Sequence, residues 1–374
     1  TIIGEEVDKA YLEAVHTLSI DKEVIERQKD LCIVYTPLHG AGMNIVPRSI
    51  RLWGFENVNC VPEQMIKDGN FPTVVSPNPE NAEALTLAVN LAKQLDADIV
   101  MASDPDADRI AMACKDNKGQ WTIVNGNQTL MIFLYYIIKN RSNKGILKAD
   151  DFIVKTIVTT ELIKRIADKY GIDMKDCYTG FKWIANEIRQ EEGKKQYIGG
   201  GEESFGFLAE DFCRDKDSVS ACSLLAEICA WAKDQGKTLY DVLMDIYLEY
   251  GFSYNKAVNV VRPGKQGADE IKAYQSELNS IIDNVTKLAN TEYNGKYLFS
   301  GTKTTTIPYS QSEEGMLYQG NSEKRSVLIG DDKTQEIVCS LLENIETKQT
   351  VVLHHSNGYD IRYTHTIRHI TRLC

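Results

Sequence analysis

The sequence predicts an α/β protein: two similar three-layer α/β/α domains with mixed sheets, followed by a short helix plus a β-rich segment. Three observations carry this. Short apolar runs alternate with helical periodicities from Leu31 onward, which is the signature of strands and helices in layers. The pattern restarts after the lysine-rich stretch Lys144–Lys148. The character then changes beyond Val261-Arg262-Pro263-Gly264.

The expected order follows from these patterns. Residues 1–30 form a helical lead-in: Val7, Ala10, Tyr11, Ala14, Val15 and Leu18 recur at helical spacing, and a second short helix starts at about Asp21, which can act as its N-cap. The first α/β domain covers 31–148. It holds strands at Cys32–Thr36, Asn57–Val61, Asp98–Ala102 and Ile110–Cys114, and helices at Met43–Trp53, Asn81–Leu95 and Gly126–Lys139. The second covers 149–272. Its strands are Asp151–Thr156, Asp176–Thr179 and Gln196–Ile198; its helices are Thr160–Tyr170, Lys182–Glu191, Ser218–Asp234 and Leu239–Tyr250. In the following segment, 276–335, Leu278, Ile281, Val285 and Leu288 fall at 3-4-3 spacing, as on a helix that packs against partners. Short β-like pieces follow at Tyr297–Ser300 and Ser326–Ile329. Residues 336–374 show no clear period.

Composition narrows the function. With 42 Lys+Arg against 53 Asp+Glu the net charge is −11, which argues against nucleic acid and against a basic membrane surface as partners. No apolar run approaches the roughly 20 residues that span a bilayer. Thr1–Glu6 lacks the basic start and apolar stretch of a secretory signal. It also lacks an initiator Met, as expected of a chain that begins inside a longer protein. The nine cysteines are scattered without a C-x-x-C pair, as reduced thiols of a cytoplasmic protein would be.

Three segments and one histidine carry chemistry. Asp104-Pro105-Asp106-Ala107-Asp108-Arg109 follows a buried strand and presents a carboxylate at every second residue. Bare carboxylates so close repel one another; an oxygen-liganded divalent cation such as Mg²⁺ relieves this. An EF-hand loop would need Gly where Arg109 stands and Glu where Lys115 stands. Arg109 offsets the loop's charge and can hold a phosphate through its planar fork. In Gly199-Gly200-Gly201-Glu202-Glu203-Ser204-Phe205-Gly206, glycines allow close backbone approach. Glu202 and Ser204 would point the same way if extended, a pair suited to sugar hydroxyls; a glycine hairpin is the alternative. In Thr179-Gly180-Phe181-Lys182-Trp183, Lys182 stands near a helix start, where an anion also meets backbone N–H groups, or is a surface lysine beside core aromatics. His39, in Leu38-His39-Gly40-Ala41-Gly42, follows a strand end and reads as either structural or catalytic.

Together these segments resemble the α-D-phosphohexomutases, the phosphoglucomutase/phosphomannomutase family, over about residues 5–272. Thr36–Gly40, Asp68-Gly69-Asn70-Phe71-Pro72, Asp104–Arg109, Asn125-Gly126-Asn127-Gln128, Thr179–Lys182 and Gly201–Gly206 occur in that family's order. The resemblance implies four domains around a cleft, of which this chain supplies the second and third. It implies Mg²⁺ on Asp104, Asp106 and Asp108. It implies substrate binding by Gly201, Glu202, Ser204, Thr179 and Gly180, and catalytic positions for Arg109, Lys182 and His39 near the phosphates or the transferred proton. The family isomerises hexose 1- and 6-phosphates of glucose or mannose through a bisphosphate. Its donor serine lies in a T-A-S-H-N-P-type loop that has no counterpart here; His354-His355-Ser356-Asn357 has the wrong order. Ser300-Gly301-Thr302 copies part of the family's R-x-S-G-T-E phosphate loop, but Leu298 and Lys303 replace the Arg and the Glu. The expectation is therefore Mg²⁺ and hexose phosphate binding, including glucose 1,6-bisphosphate, without turnover by this chain alone.

A second resemblance covers about 278–329. Ala289–Thr304 and Tyr318-Gln319-Gly320-Asn321 resemble the flagellin-like hook–filament junction protein, which implies a chimera and association through that segment. A flagellar assembly role is thus the rival reading. A sugar-phosphate phosphatase with Asp104 as nucleophile would need a D-x-D-x-T/V loop after an N-terminal strand, which is absent.

Overall fold

The computed structural model describes residues 4–253 except 210, residue 255, and separate stretches between 280 and 367. The chain divides into two compact units, Thr1–Asn255 and Lys256–Cys374.

The first unit opens with α1 (Glu5–His16) and α2 (Lys22–Arg27). Asp21 caps α2 by accepting the Val24 N–H. Then come β1 (Ile33–Thr36), α3 (Gly42–Trp53), β2 (Val58–Cys60), a 3₁₀ turn Ala82–Leu85 running into α4 (Thr86–Leu95), and β3 (Ile99–Ser103), β4 (Ile110–Lys115) and β5 (Trp121–Val124). These strands make one sheet in the order β2-β1-β3-β4-β5. The first three are parallel and the last two antiparallel. β1 and β3 are buried along their whole length, which is why both read as unbroken apolar runs.

After α5 (Gly126–Asn143) the second sheet is built from β6 (Asp151–Thr156), α6 (Leu162–Tyr170), β7 (Asp173–Cys177), α7 (Phe181–Glu191), β8 (Gln196–Gly201) and β9 (Phe207–Leu208). Its order is β7-β6-β8-β9, with β8 and β9 antiparallel. The first four strands of each sheet thus follow one plan: second, first, third, fourth. Helices α8 (Ser218–Asp234) and α9 (Leu239–Tyr250) close the unit.

The two sheets exchange helices. α5 leaves the first sheet and packs on β8 and α6 of the second; α8 leaves the second and packs on α3, β3 and β4 of the first. The Ser49 and Ser223 hydroxyls meet at 2.7 Å between α3 and α8. Phe133 of α5 stacks on Phe207 of β9 with ring centroids 4.2 Å apart. One apolar core runs through both sheets, from Val15 and Tyr35 to Ile153 and Ile246. α1 and α2 are part of this packing, against α3 and α8, through Leu12, Val15, Val24 and Ile25.

Several expected bounds shift for physical reasons. β7 lies at Asp173–Cys177, not Asp176–Thr179: it is an edge strand whose polar side chains hide it. β8 runs on to Gly201, because Gly199, Gly200 and Gly201 pair with Ile153, Val154 and Lys155 of β6, so closely that a Cβ at Gly200 would stand 2.2 Å from the Val154 carbonyl oxygen. Two strands escape the sequence reading: β5, an edge strand with three half-buried residues, and β9, only two residues long. The stretch 256–272, expected to belong to the second domain, lies outside the described residues.

In the second unit the described strands pair as four antiparallel hairpins. They are β10 (Glu292–Tyr293) with β11 (Lys296–Tyr297), β12 (Tyr309–Ser312) with β13 (Gly315–Tyr318), β14 (Arg325–Gly330) with β15 (Lys333–Ile337), and β16 (Thr347–His354) with β17 (Asp360–Ile367). Leu278, Ile281, Val285 and Leu288 lie outside the described residues. Among the described residues, no helix is long and apolar enough to cross a membrane.

Candidate functional site

The site forms where two loops of the same topological kind meet. Asp104–Arg109 joins β3 to β4, and Glu202–Gly206 joins β8 to β9; each links the third strand of its sheet to an antiparallel fourth. Arg109 and Gly206 form an antiparallel bridge between them, and the Ile110 N–H donates to the Phe205 carbonyl at 3.0 Å. Both loops lie outside carboxyl ends of strands, where α/β sheets collect ligands.

One oxygen from each of Asp104, Asp106 and Asp108 lies within 4.8 Å of the others. Asp104 is buried and Asp106 exposed. Asp104 Oδ1 accepts the N–H groups of Asp108 (3.1 Å) and Arg109 (2.9 Å), and Oδ2 accepts Arg109 Nε at 2.6 Å. Ala107 turns the loop with φ 61°; its carbonyl accepts the N–H and hydroxyl of Ser218 at the start of α8. From the other side the loop is met by the turn after β1: the Ala41 N–H donates to the Pro105 carbonyl at 2.8 Å. Gly40 is required there, since a Cβ would stand 2.3 Å from Pro105 Cα.

Burial pushes the Asp108 carboxyl above its ordinary range, and Asp104 adds to this, while Lys216 opposes it. Lys216 donates to Asp108 Oδ2 at 2.5 Å, and its ammonium lies 5.8 Å from the Phe181 ring. A Cβ on Gly206 would touch the lysine's chain at 2.7 Å. Lys216 therefore spans both loops. Sequence reasoning missed it because it sits in an unpatterned charged run, Asp211–Asp217; only its place next to Asp217, the N-cap of α8, could have drawn notice.

Of the two readings of this segment, extended or hairpin, the structure shows the hairpin: Glu202 and Ser204 lie on the turn between β8 and β9. Residues 203 and 204 form the turn, and Phe205 takes φ 69°. Glu202 is 5% exposed, and its Oε1 accepts the Gly180 N–H at 2.8 Å. Burial holds its pKa above the ordinary glutamate value, against the Gly180 bond. Gly201, in β8, is buried, Ser204 half-buried and Thr179 exposed. The chain turns at Gly180 with φ 110° to start α7. Lys182, in that first turn, is exposed with its ammonium 5.5 Å from the Trp183 ring.

His39 is 4% exposed. Its Nδ1 meets the Ile66 carbonyl and its Nε2 the Thr73 hydroxyl, both at 2.8 Å. The Ile66 carbonyl can only accept, so Nδ1 carries a proton and donates to it. Gln64 Nε2 donates in turn to the Thr73 oxygen at 3.1 Å. Both ring nitrogens are thereby engaged in holding the 64–73 loop. The structure thus brings the three aspartates, Arg109, Gly201, Glu202 and Gly180 together, with Lys216 among them, and leaves the His39 ring turned to the neighbouring loop.

The donor set is oxygen-rich and suits a hard cation such as Mg²⁺. Glu202, Lys216 and Arg109 border the triad, so one further carboxylate and two cations stand beside it.

Comparison with known proteins agrees with the fold. Residues 9–119 match the family model for phosphoglucomutase/phosphomannomutase alpha/beta/alpha domain II, and residues 125–250 that for domain III. The phosphoglucomutase of Staphylococcus haemolyticus (strain JCSC1435) is 35% identical over 260 residues, covering 69% of this chain and 46% of the relative. That of Staphylococcus aureus (strain USA300) is 37% identical over 253 residues, 68% of this chain and 45% of the relative. The chain spans about half the length of the curated relatives it matches. In fold it is similar to a solved Thermus thermophilus protein named for phosphomannomutase (TM-score 0.54, 24% identity, 66% of this chain and 52% of that one). It is also similar to the open form of Paramecium parafusin, a phosphoglucomutase (TM-score 0.53, 15% identity, 97% and 59%).

Proposed function

The chain belongs to the phosphoglucomutase/phosphomannomutase family, and we propose that its first unit is the metal- and sugar-binding half of a phosphohexomutase. The whole enzyme would isomerise hexose 1- and 6-phosphates of glucose or mannose through a bisphosphate. The observation that carries the reading is the bridge between Arg109 and Gly206, which joins an aspartate triad to a buried glutamate loop at strand ends.

In this reading Asp104, Asp106 and Asp108 hold Mg²⁺, which supplies positive charge against a phosphoryl group. Glu202, with Ser204 and the backbone of Gly201, Thr179 and Gly180, accepts and donates to sugar hydroxyls. Arg109 and Lys216 keep the triad's charge balanced and face the ligand's phosphate, and Lys182 offers a further cation at the start of α7. His39 acts by shaping the turn whose Gly40 rests on Pro105. These residues bind and orient; the family's donor serine has no counterpart among them, so the expected property of this chain by itself is binding without turnover. The seven cysteines of the described residues are free thiols, which supports a reducing compartment, the cytoplasm.

The test is calorimetric titration of Mg²⁺ into the wild type and Asp106→Asn, with and without glucose 1,6-bisphosphate. Saturable Mg²⁺ binding that the variant loses, strengthened by the bisphosphate, is the expected result. No binding by the wild type would sink the reading.

A further inference from the structure

Glu202 and Glu203 are adjacent, yet the fold uses them in different directions. Glu202 reaches the Gly180 N–H at the start of α7. Glu203 Oε2 instead accepts the hydroxyls of Thr156 (2.8 Å) and Thr159 (3.1 Å), both buried at the end of β6. Those hydroxyls also meet each other at 2.7 Å. Their loop is fixed from beneath by Lys155, a fully buried lysine whose ammonium donates to the Thr159 carbonyl at 3.3 Å and pairs with Asp176 (2.7 Å) and Glu161 (3.2 Å). It is fixed from the side by α5, where Asn127 Oδ1 accepts the Thr160 N–H at 2.8 Å. The backbone of Glu203 has no slack either: a Cβ on Gly126 would stand 1.8 Å from its carbonyl oxygen.

We infer that Glu203 is a positioning residue: its bonds to Thr156 and Thr159 fix the turn that aims Glu202 at Gly180 and at the ligand. Taking Glu202 as the group that meets sugar hydroxyls rests on the binding reading above. A carboxylate held by two buried hydroxyls resists rotation because leaving them would cost it both hydrogen bonds, while the two hydroxyls would keep only each other. The turn's backbone is closed at its ends, by the Glu202 N–H donating to the Gly206 carbonyl at 2.9 Å and the Ile110 N–H donating to the Phe205 carbonyl at 3.0 Å; Glu203 adds the side-chain anchor between them.

The Gly180 amide reports the aim of Glu202 directly, whether or not a ligand binds. Amide hydrogen exchange at Gly180 is compared in the wild type, Glu203→Ala, the pair Thr156→Val/Thr159→Val, and Glu202→Ala, with β1 and β3 amides as the measure of global opening. The expected result is that Gly180 loses protection by about tenfold in Glu203→Ala and in the threonine pair, with β1 and β3 unchanged, and that Thr156→Ser/Thr159→Ser restores it. The threonine pair decides the matter should Glu203→Ala fail to fold. The inference is overturned if Gly180 keeps its protection in these variants while losing it in Glu202→Ala, or if β1 and β3 lose protection to the same extent. A null titration with glucose 1,6-bisphosphate would sink the binding reading alone and leave this exchange measurement standing.

Discussion

The hydroxyl of Tyr136 on α5 donates to Glu227 on α8 at 2.6 Å, in the interior where the two exchanged helices meet. The same Glu227 oxygen accepts the N–H groups of Ile20 (2.8 Å) and Asp21 (2.9 Å). One buried carboxylate therefore fastens both exchanged helices and the turn between α1 and α2.

Replacing Glu227 separates its hydrogen bonds from its charge. Glu227→Ala strands three donors and should cost roughly 2–5 kcal/mol; Glu227→Gln keeps an acceptor and should cost far less. Burial raises the Glu227 pKa above the ordinary value of 4.5, so the native state holds this proton more tightly than the unfolded chain does. The group's contribution to stability is then greatest below 4.5 and falls as pH rises through the raised value. Urea unfolding from pH 4.5 to 8 should show Glu227→Gln gaining on the wild type as pH rises; a constant difference would refute this.

Two glycines separate the halves of the site. Gly40→Ala forces its Cβ onto Pro105 of the aspartate loop, and Gly126→Ala forces its Cβ onto the Glu203 carbonyl. Each contact is with backbone, so each variant should lose about 1–3 kcal/mol of stability. Titrations should show Mg²⁺ affinity falling in Gly40→Ala and the bisphosphate response falling in Gly126→Ala. Equal effects on both ligands in both variants would contradict this division.

Lys216 pairs with Asp108 at 2.5 Å, so in the proposed reading it would compete with a metal for that carboxylate. At pH 8, Lys216→Met should bind Mg²⁺ severalfold more tightly, because a cation no longer faces the triad. Its response to glucose 1,6-bisphosphate should weaken, because the phosphate loses a positive partner. Calorimetry on the same samples reads both, and tighter binding of both ligands would remove Lys216 from the phosphate's surroundings.

The exchange of α5 and α8 makes the two sheets one folding unit. A piece ending at residue 148 loses α8, whose Val219, Leu224, Leu225 and Ile228 are buried. At about 1.5–3 kcal/mol each these contribute roughly 6–12 kcal/mol, comparable with the whole stability of a domain, about 5–15 kcal/mol. Residues 1–148 should show no cooperative unfolding, whereas 1–255 should unfold in one transition by both fluorescence and circular dichroism. An independent transition in 1–148 would refute the interlock.

The legible parts of this protein were those where one residue type has one physical use. β1 and β3 showed because strands buried on both faces are mostly apolar, and β6 showed through its apolar centre Phe152-Ile153-Val154. α8 and α9 start where expected, at Ser218 and Leu239, each directly after a capping side chain, Asp217 and Thr238. The triad showed because carboxylates at every second residue are costly without a cation. β5, β7 and β9 were hidden because edge strands are short and half polar, so no alternation survives in the letters. The tail 336–374, without a readable period, contains a long hairpin for the same reason: its pairing is between strands, not within one.

Local chemistry by itself determined the layered α/β class, the restart of the pattern after Lys148, and the loops that hold Asp104–Asp108 and Glu202. Tertiary structure alone decided that α5 and α8 change places, that Lys216 reaches Asp108 across 108 positions, that Glu203 turns toward Thr156, and that the His39 ring is occupied. Periodicity and spacing are properties of neighbours in sequence. Partners and burial belong to groups that only the packing of two sheets brings within a few ångströms.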